Sequence, residues 1–499
     1  MAPDGRIQGG GMSGRLLLGI DEGTSAVKAV LYDTDLRPLA EARREKPLAH
    51  PRPGWVEQDP QDVMVAVVDA VGELLAGAEG EVVACGLDHQ GESVLAWDAE
   101  SGDPLTPIVT WQDKRSQEVL DRLEADGGDA EVREVSGMPL DPYFSAGKLS
   151  WLLEHEPAVQ RALDARTLRL GTVDSWLCDM LGSGFATDPS TASRTQLSAP
   201  GAPDWDPRLL AAFGVPREAL PSIRDSAGDL GTLRHPDWGR ELPLRGQVVD
   251  QQAALAGAGC TEPGRVKATY GTGVFVLAHA GAERPDPSEG GLLPTVAWRV
   301  GGRVEYALDG GVFTAGALLE WLSRDLGLAP DPPALAALAA DVEDSAGVRV
   351  LPALAGLGAP WWRPEATAVI AGLTGRARAG HVARAALESI AWRVADILAV
   401  VSEHAEPEAL RVDGGLTRDR LLLQLQADTS GVPVEPGAID ATAAGAAALA
   451  AVGAGVWEST REIGERVPTG GRIEPKRDDA WRSGGHAAWR AFVEGAATL

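Results

Sequence analysis

Arg15–Asp33, RLLLGIDEGTSAVKAVLYD, constrains this chain more than any other stretch. An apolar run of Leu16, Leu17, Leu18 and Ile20 ends in Asp21. The small segment Glu22-Gly23-Thr24-Ser25 follows, and a second β-prone run returns from Val27 to Tyr32. Two such runs about a Gly-containing turn predict a hairpin. Its turn can present backbone N–H groups and two hydroxyls to a phosphate, with one carboxylate beside them for a metal. A plain surface hairpin also accounts for the pattern, because short Gly motifs match by chance.

The 499 residues exceed what one core supports, so two domains are expected. A net charge of −27 repels polyanions and excludes nucleic acid and anionic membrane as partners. An anionic ligand must therefore be held by local N–H groups and a cation. Cys85, Cys178 and Cys260 are far apart and lack metal-ligand spacing, so reduced, buried thiols in a cytoplasmic protein are expected. MAPDGRIQGGGMSGR has no apolar core of a signal peptide and reads as a flexible leader. No apolar run reaches transmembrane length.

Further along, Leu39–Lys46, Glu81–Leu87, Val94–Trp97 and Ile108–Trp111 read as strands, and Val63–Leu75 as a helix. Alternation of this kind implies an α/β domain. From about Glu118 to Leu244 the chain is more helical, with Pro-rich breaks. Arg265–Ala278, RVKATYGTGVFVLA, then repeats the opening pattern of strand, Gly-Thr-Gly turn and strand. Two related domains can place two such turns across one cleft. In Leu410–Asp428 a short strand ends at Asp413, Gly414-Gly415 turns, and helical periodicity begins at Arg418, which suits close backbone approach by a planar or phosphorylated ligand. Arg384–Val401 reads as an amphipathic helix and Ala438–Gly453 as a small-residue packing helix.

These motifs, in this order, resemble the FGGY carbohydrate kinases and, within them, the glycerol kinase branch. The resemblance is carried by DEGTSAVKA (Asp21–Ala29), WQDKRS (Trp111–Ser116), LDPYFSAGKLSWLL (Leu140–Leu153), TVDSWL (Thr172–Leu177), TDPSTASRT (Thr187–Thr195), DQQAALAG (Asp250–Gly257), KATYGTGVF (Lys267–Phe275) and VDGGLTRDRLLLQLQAD (Val412–Asp428). It implies a two-domain, actin-like, ribonuclease H-type α/β fold with a central cleft. The expected division is a leader at 1–14, an N-terminal domain at 15–256 and a C-terminal domain at 257–499. The implied reaction moves the γ-phosphoryl of ATP, with Mg²⁺, to a terminal hydroxyl of a small polyol, glycerol by default.

The same resemblance assigns roles. Asp250 is the catalytic base, although a helix N-cap is the alternative for an Asp placed there. Asp21 matches the Mg²⁺-side carboxylate. Thr24, Ser25, Lys28, Gly271, Thr272, Gly316 and Gly415 match positions at the nucleotide, and Asp419 stands where the family often has Asn. Glu92, Trp111, Tyr143, Asp250, Gln251 and Phe275 match the polyol set, where polar groups hold hydroxyls and rings cover the carbon chain.

Two departures bear on the acceptor. Gly91 stands where glycerol kinases carry Arg, which removes a multi-donor contact and opens space there; His89 or another residue could compensate. Val249 stands where Gly is usual. A longer polyol or sugar, such as a tetritol or pentulose, is the alternative substrate. An actin- or chaperone-like ATPase is the alternative class, opposed by the polyol constellation, and retention of Asp21 and Asp250 opposes a catalytically dead homologue. Trp238-Gly239-Arg240-Glu241 puts an acid where some relatives bind a sugar bisphosphate, so no regulation by such an anion is expected. A homo-oligomer remains open.

Overall fold

The computed structural model describes residues 14–286, 291–437 and 440–497. Residues 1–13 of the expected leader, and Ala438 at the start of the expected small-residue helix, lie outside the described residues. Two six-stranded sheets organise the chain. The first contains β1 (Arg15–Glu22), β2 (Ala26–Tyr32), β3 (Pro38–Glu45), β4 (Glu81–His89), β5 (Thr232–Leu233) and β6 (Leu242–Val249), in the order β5-β6-β4-β1-β2-β3. The second contains β7 (Arg265–Tyr270), β8 (Val274–Gly281), β9 (Leu293–Val300), β10 (Arg303–Val312), β11 (Ala409–Asp413) and β12 (Val434–Pro436), in the order β9-β10-β8-β7-β11-β12.

The internal repeat is therefore structural. In each sheet a central strand has an antiparallel hairpin partner on one side and a parallel strand on the other. The register sets Asp21 of β1 between Lys28 and Asp88. The corresponding residue of β7, Thr269, lies between Phe275 and Asp413. Topologically matched positions thus carry different chemistry in the two halves.

Five helices matter to the site: α1 (Pro60–Gly77), α2 (Asp250–Gly257), α3 (Ala379–His404), α4 (Arg420–Ser430) and α5 (Ala441–Gly453). The Asp59 side chain caps α1 by accepting from Gln61 N–H, with Pro60 pre-set at the first turn. α3 runs longer than the amphipathic segment read at Arg384–Val401 and is buried along most of its length, so it is a core helix. α5 is buried from Ala443 to Ala451. Its backbone lies directly on the first sheet and on α2: a β-carbon on Gly19, Gly86 or Gly257 would collide with the carbonyls of Ala443, Ala446 and Ala441 respectively. Only hydrogen at those positions permits this approach.

The segment between β4 and β6 is mainly helical, as expected, and is tied to a four-stranded sheet of Glu57–Gln58, Ile108–Val109, Val94–Asp98 and Leu168–Thr172. The strand expected at Ile108–Trp111 ends at Val109. Trp111 leaves the ladder because its N–H goes to Ser93 Oγ (3.0 Å) and its indole turns into the cleft. The three cysteines are free and buried, and no helix among the described residues is long and apolar enough to cross a membrane.

Candidate active site

The acid-rich wall is built where β1, β4 and β6 end together. Asp21 and Asp88 are cross-strand neighbours, and Asp250 opens α2 directly after β6. Asp250 is the first helical residue and Val249 holds the cap position, so the capping alternative for Asp250 does not apply. Its Oδ1 accepts from the N–H of Gln251 at 2.6 Å. Burial pushes the Asp250 carboxyl up to about 6, and the negative charge of Glu92 adds to the rise. Asp21 is pushed up to about 7 by burial and then by the charges of Asp440 and Asp250. Asp88, with no exposed surface, is raised by burial and by Asp21, and neither of its oxygens has a donor partner. One proton shared between Asp21 and Asp88 relieves both carboxyls.

Among the described residues, no three or more His, Cys, Asp or Glu side chains form a ready-made metal cage. Mg²⁺ carried with a nucleotide needs less, namely one or two carboxylates with phosphate oxygens and water. Asp21, with the Asp88 carboxyl beside it, fits that requirement. Lys28 forms an ion pair with Asp440, whose side chain also caps α5 at Thr442 N–H (3.3 Å), and lies 3.8 Å from Glu41.

Thr24 and Ser25 form the hairpin turn at the mouth of this wall. Gln58 Nε2 donates to Thr24 O at 2.7 Å, and the backbone N–H of buried Lys46 donates to Ser25 O at 2.9 Å. Trp111 Nε1 donates to Thr24 Oγ1 at 2.9 Å, which joins an expected polyol residue to an expected nucleotide residue. Trp111 also meets Tyr143 edge-on, with ring centroids 5.7 Å apart. Burial raises the Tyr143 phenol well above its usual value, and Glu92 adds to this, so Tyr143 is a neutral hydroxyl at working pH. Phe275 and Tyr143 line a cavity of about 120 Å³ with Arg194, Asp309, Phe313 and Trp362.

Arg194 was not singled out by sequence. Its Nε donates to Glu92 Oε1 at 2.7 Å, and its Nη1 lies 2.8 Å from Asp309 Oδ2 in the second sheet. Burial disfavours its charge, but Asp309 and Glu92 overcome that and hold its pKa above the ordinary value. Glu92 is thereby fixed with a left-handed backbone (φ 60°). Lys267 was also missed as a site residue: 1% exposed, it donates to Gln251 Oε1 (3.0 Å) and Thr269 Oγ1 (2.8 Å). Its positive charge opposes the rise at Asp250. Sequence signals existed, since Arg194 stands last but one in TDPSTASRT and Lys267 opens KATYGTGVF, but only folding shows what they touch. His89 is no substitute for a missing Arg: its Nε2 is engaged with Thr191 Oγ1 at 2.9 Å. Nor is space opened at Gly91, because a β-carbon there would lie 2.6 Å from Val249 Cγ2.

The opposite turn is a backbone structure. Gly271 N–H donates to Gly273 O (2.9 Å), Gly316 N–H to Gly271 O (3.0 Å), and Ala315 N–H to Thr272 O (2.9 Å). Gly271, Thr272 and Gly316 are thus brought together, and a β-carbon on Gly316 would sit 2.6 Å from the Gly271 carbonyl. In the Gly-Gly turn the sterically required residue is Gly414 (φ 94°), whose β-carbon would strike the backbone of Tyr270. The expected Gly415 has open space around it. Asp419 caps α4, accepting from Leu421 N–H (2.8 Å) and Leu422 N–H (3.3 Å), and the helix begins at Arg420 rather than Arg418.

Two α/β domains built on one repeated hairpin plan, facing each other across an acid-walled cleft, define an actin-like ATPase architecture. Residues 16–257 match the N-terminal domain, and residues 266–454 the C-terminal domain, of the FGGY family of carbohydrate kinases. The chain belongs to that family. It is 45% identical over 452 residues to a glycerol kinase of Alkalilimnicola ehrlichii, covering 88% of this chain and 90% of that protein. It is 42% identical to a glycerol kinase of Geobacter sp. strain M21, covering 96% and 98%. Among solved structures, a Plasmodium falciparum glycerol kinase with ADP superposes with a TM-score of 0.91 at 29% identity, covering 97% of this chain and 99% of that one. A xylulose kinase from Rhodospirillum rubrum gives 0.86 at 26%, covering 97% and 99%.

Proposed function

We propose that this enzyme transfers the γ-phosphoryl group of ATP to a terminal hydroxyl of glycerol, giving glycerol 3-phosphate. Relatives named glycerol kinase at 42–45% identity over most of the chain support the substrate. The observation that carries the reading is the Trp111–Thr24 hydrogen bond, which sets the wall of the acceptor pocket against the phosphate-side turn. Direct transfer needs donor and acceptor side by side.

Glu92, Tyr143, Gln251 and Trp111 hold the hydroxyls and cover the carbon chain, with Phe275 behind. Asp250, deprotonated above about pH 6, accepts the proton of the attacking hydroxyl. Lys267 keeps Gln251 aimed, and Arg194 keeps Glu92 aimed. The N–H groups of Thr272 and Gly273 and the Thr272 hydroxyl, with Thr24 and Ser25 opposite, bind terminal phosphates. Gly316, Gly414 and Gly415 let backbone approach the nucleotide. Asp21, with Asp88 beside it, would hold Mg²⁺, which when bound with ATP neutralises charge on the transferring phosphates. Free thiols agree with a reducing, cytoplasmic setting.

The test is a coupled ADP-release screen over glycerol, erythritol, threitol, xylitol and common ketoses. Turnover with glycerol as the best acceptor is expected, and no turnover with any polyol would overturn the reading.

A further inference from the structure

Gly91 and Val249 are one feature rather than two. The 2.6 Å between a β-carbon on Gly91 and Val249 Cγ2 is far inside van der Waals contact, and Val249 is 2% exposed. The pair meets beside the acceptor carboxyls, since Glu92 follows one residue and Asp250 the other. Both backbones are pinned. Val249 N–H donates to Ser190 Oγ at 3.0 Å, and Val249 pairs with His89 at the end of its strand. Gln90 N–H donates to Glu22 O at 2.8 Å, Ser93 N–H donates to Gly91 O at 2.8 Å, and Ser145 Oγ donates to Glu92 O at 3.3 Å. Neither segment is free to step back and admit a longer side chain at 91.

We propose that Val249 is a specificity-determining residue: its isopropyl group refills the volume that Gly91 vacates, keeping the acceptor pocket sized for a three-carbon polyol and closed to a tetritol or pentulose. The inference rests on the acceptor site of the proposed function. A hydrocarbon wall donates no hydrogen bond, so discrimination at this wall is by shape. An added carbinol carbon reaching toward position 91 would have to displace the packed Val249 methyl group, whose backbone is held by Ser190 and His89. Arg194, ion-paired with Glu92 and Asp309, is the guanidinium that remains in the pocket lining.

The experiment uses the full chain and reads kcat and KM for glycerol and erythritol in wild type, Val249→Gly, Val249→Ala, Gly91→Ala and Gly91→Ala/Val249→Gly. Wild type should prefer glycerol by kcat/KM. Val249→Gly should narrow that preference by about tenfold, chiefly through a lower KM for erythritol. Gly91→Ala alone should raise KM for both acceptors, and the double variant should recover, making the cycle non-additive. Thermal unfolding confirms that each variant is folded, and Val249→Ala reads the same ratio should Val249→Gly not fold. Wild-type preference for erythritol, a ratio unmoved by either Val249 variant, or additive effects of Gly91→Ala and Val249→Gly would overturn the inference while leaving polyol phosphorylation intact. Absence of turnover with any polyol would instead overturn the proposed function and this inference with it.

Discussion

The hairpin turn after β1 and the hairpin turn after β7 occupy the same place in their sheets, yet they are chemical opposites. Around the first stand Asp21, Asp88, Asp250 and Asp440, where burial and then the neighbouring charges, Asp250 and Asp440 among them, raise the proton affinity of Asp21 and Asp88. Around the second, the fixed contacts are backbone ones: Gly271, Thr272, Gly316 and Gly414 approach main chain to main chain. A duplicated scaffold has divided labour. One copy tunes charge, and the other offers a main-chain surface that a phosphate can approach closely.

The largest expected effect breaks the acidic side alone. Asp250→Asn should lower kcat by about 10²–10⁴-fold, the range for loss of a general base, with KM for ATP little changed. Steady-state kinetics against ATP and glycerol check this, and full retained activity would remove Asp250 from the chemistry. On the other side, Gly414→Ala puts a methyl group into the Tyr270 backbone at a left-handed φ. It should weaken ADP binding by about tenfold, equal to the 1.4 kcal/mol expected of such strain. Calorimetric titration reads it, and unchanged ADP affinity would show the second turn to be structural only.

A pH profile sharpens the comparison further. The kcat/KM for glycerol should fall as pH drops through about 6, because Asp250 must be deprotonated to act. Glu92 raises the Asp250 carboxyl, so Glu92→Gln should move that acid limb to lower pH. An unmoved limb would reassign it to another group. Stability should carry the same signature. Asp21 rises from 3.8 to about 7 on folding, so the folded chain holds that proton more tightly than the unfolded chain. Its contribution is therefore most favourable at low pH and is lost as pH climbs from about 4 to about 7. Asp21→Asn should raise the Tm by a few degrees at pH 8 and by nothing near pH 4, measured by calorimetry. The smallest effect is expected far from both turns. In Trp238–Glu241, Arg240 is spent on the carbonyls of Ala78 and Gly80, and Glu241 faces Arg234. Fructose 1,6-bisphosphate should leave the rate unchanged, and strong inhibition would contradict this.

Much of this was legible in the chain because the informative segments are local. Strand–turn–strand and strand–Gly-Gly–helix patterns carry their own geometry, and both hairpins formed where alternation and Gly content put them. What stayed hidden was pairing across distance. Asp88 lies one residue past the strand read at Glu81–Leu87, and only the longer strand and its register set it against Asp21. Asp440 and Lys28 meet from opposite ends of the chain. Gly91 reads as opened space and Val249 as a separate departure from Gly, and only three dimensions show that one fills the other. Gly414 rather than its neighbour was the constrained glycine, because φ and the Tyr270 backbone are invisible in the letters Gly-Gly.

The face of α5 turned to Gly19, Gly86 and Gly257 is a seat cut to the width of a hydrogen atom. Surfaces that meet backbone to backbone leave no side chain that could turn aside to make room. A single added carbon at Gly86 would press into the Ala446 carbonyl oxygen, a wedge that only movement of the helix itself could relieve.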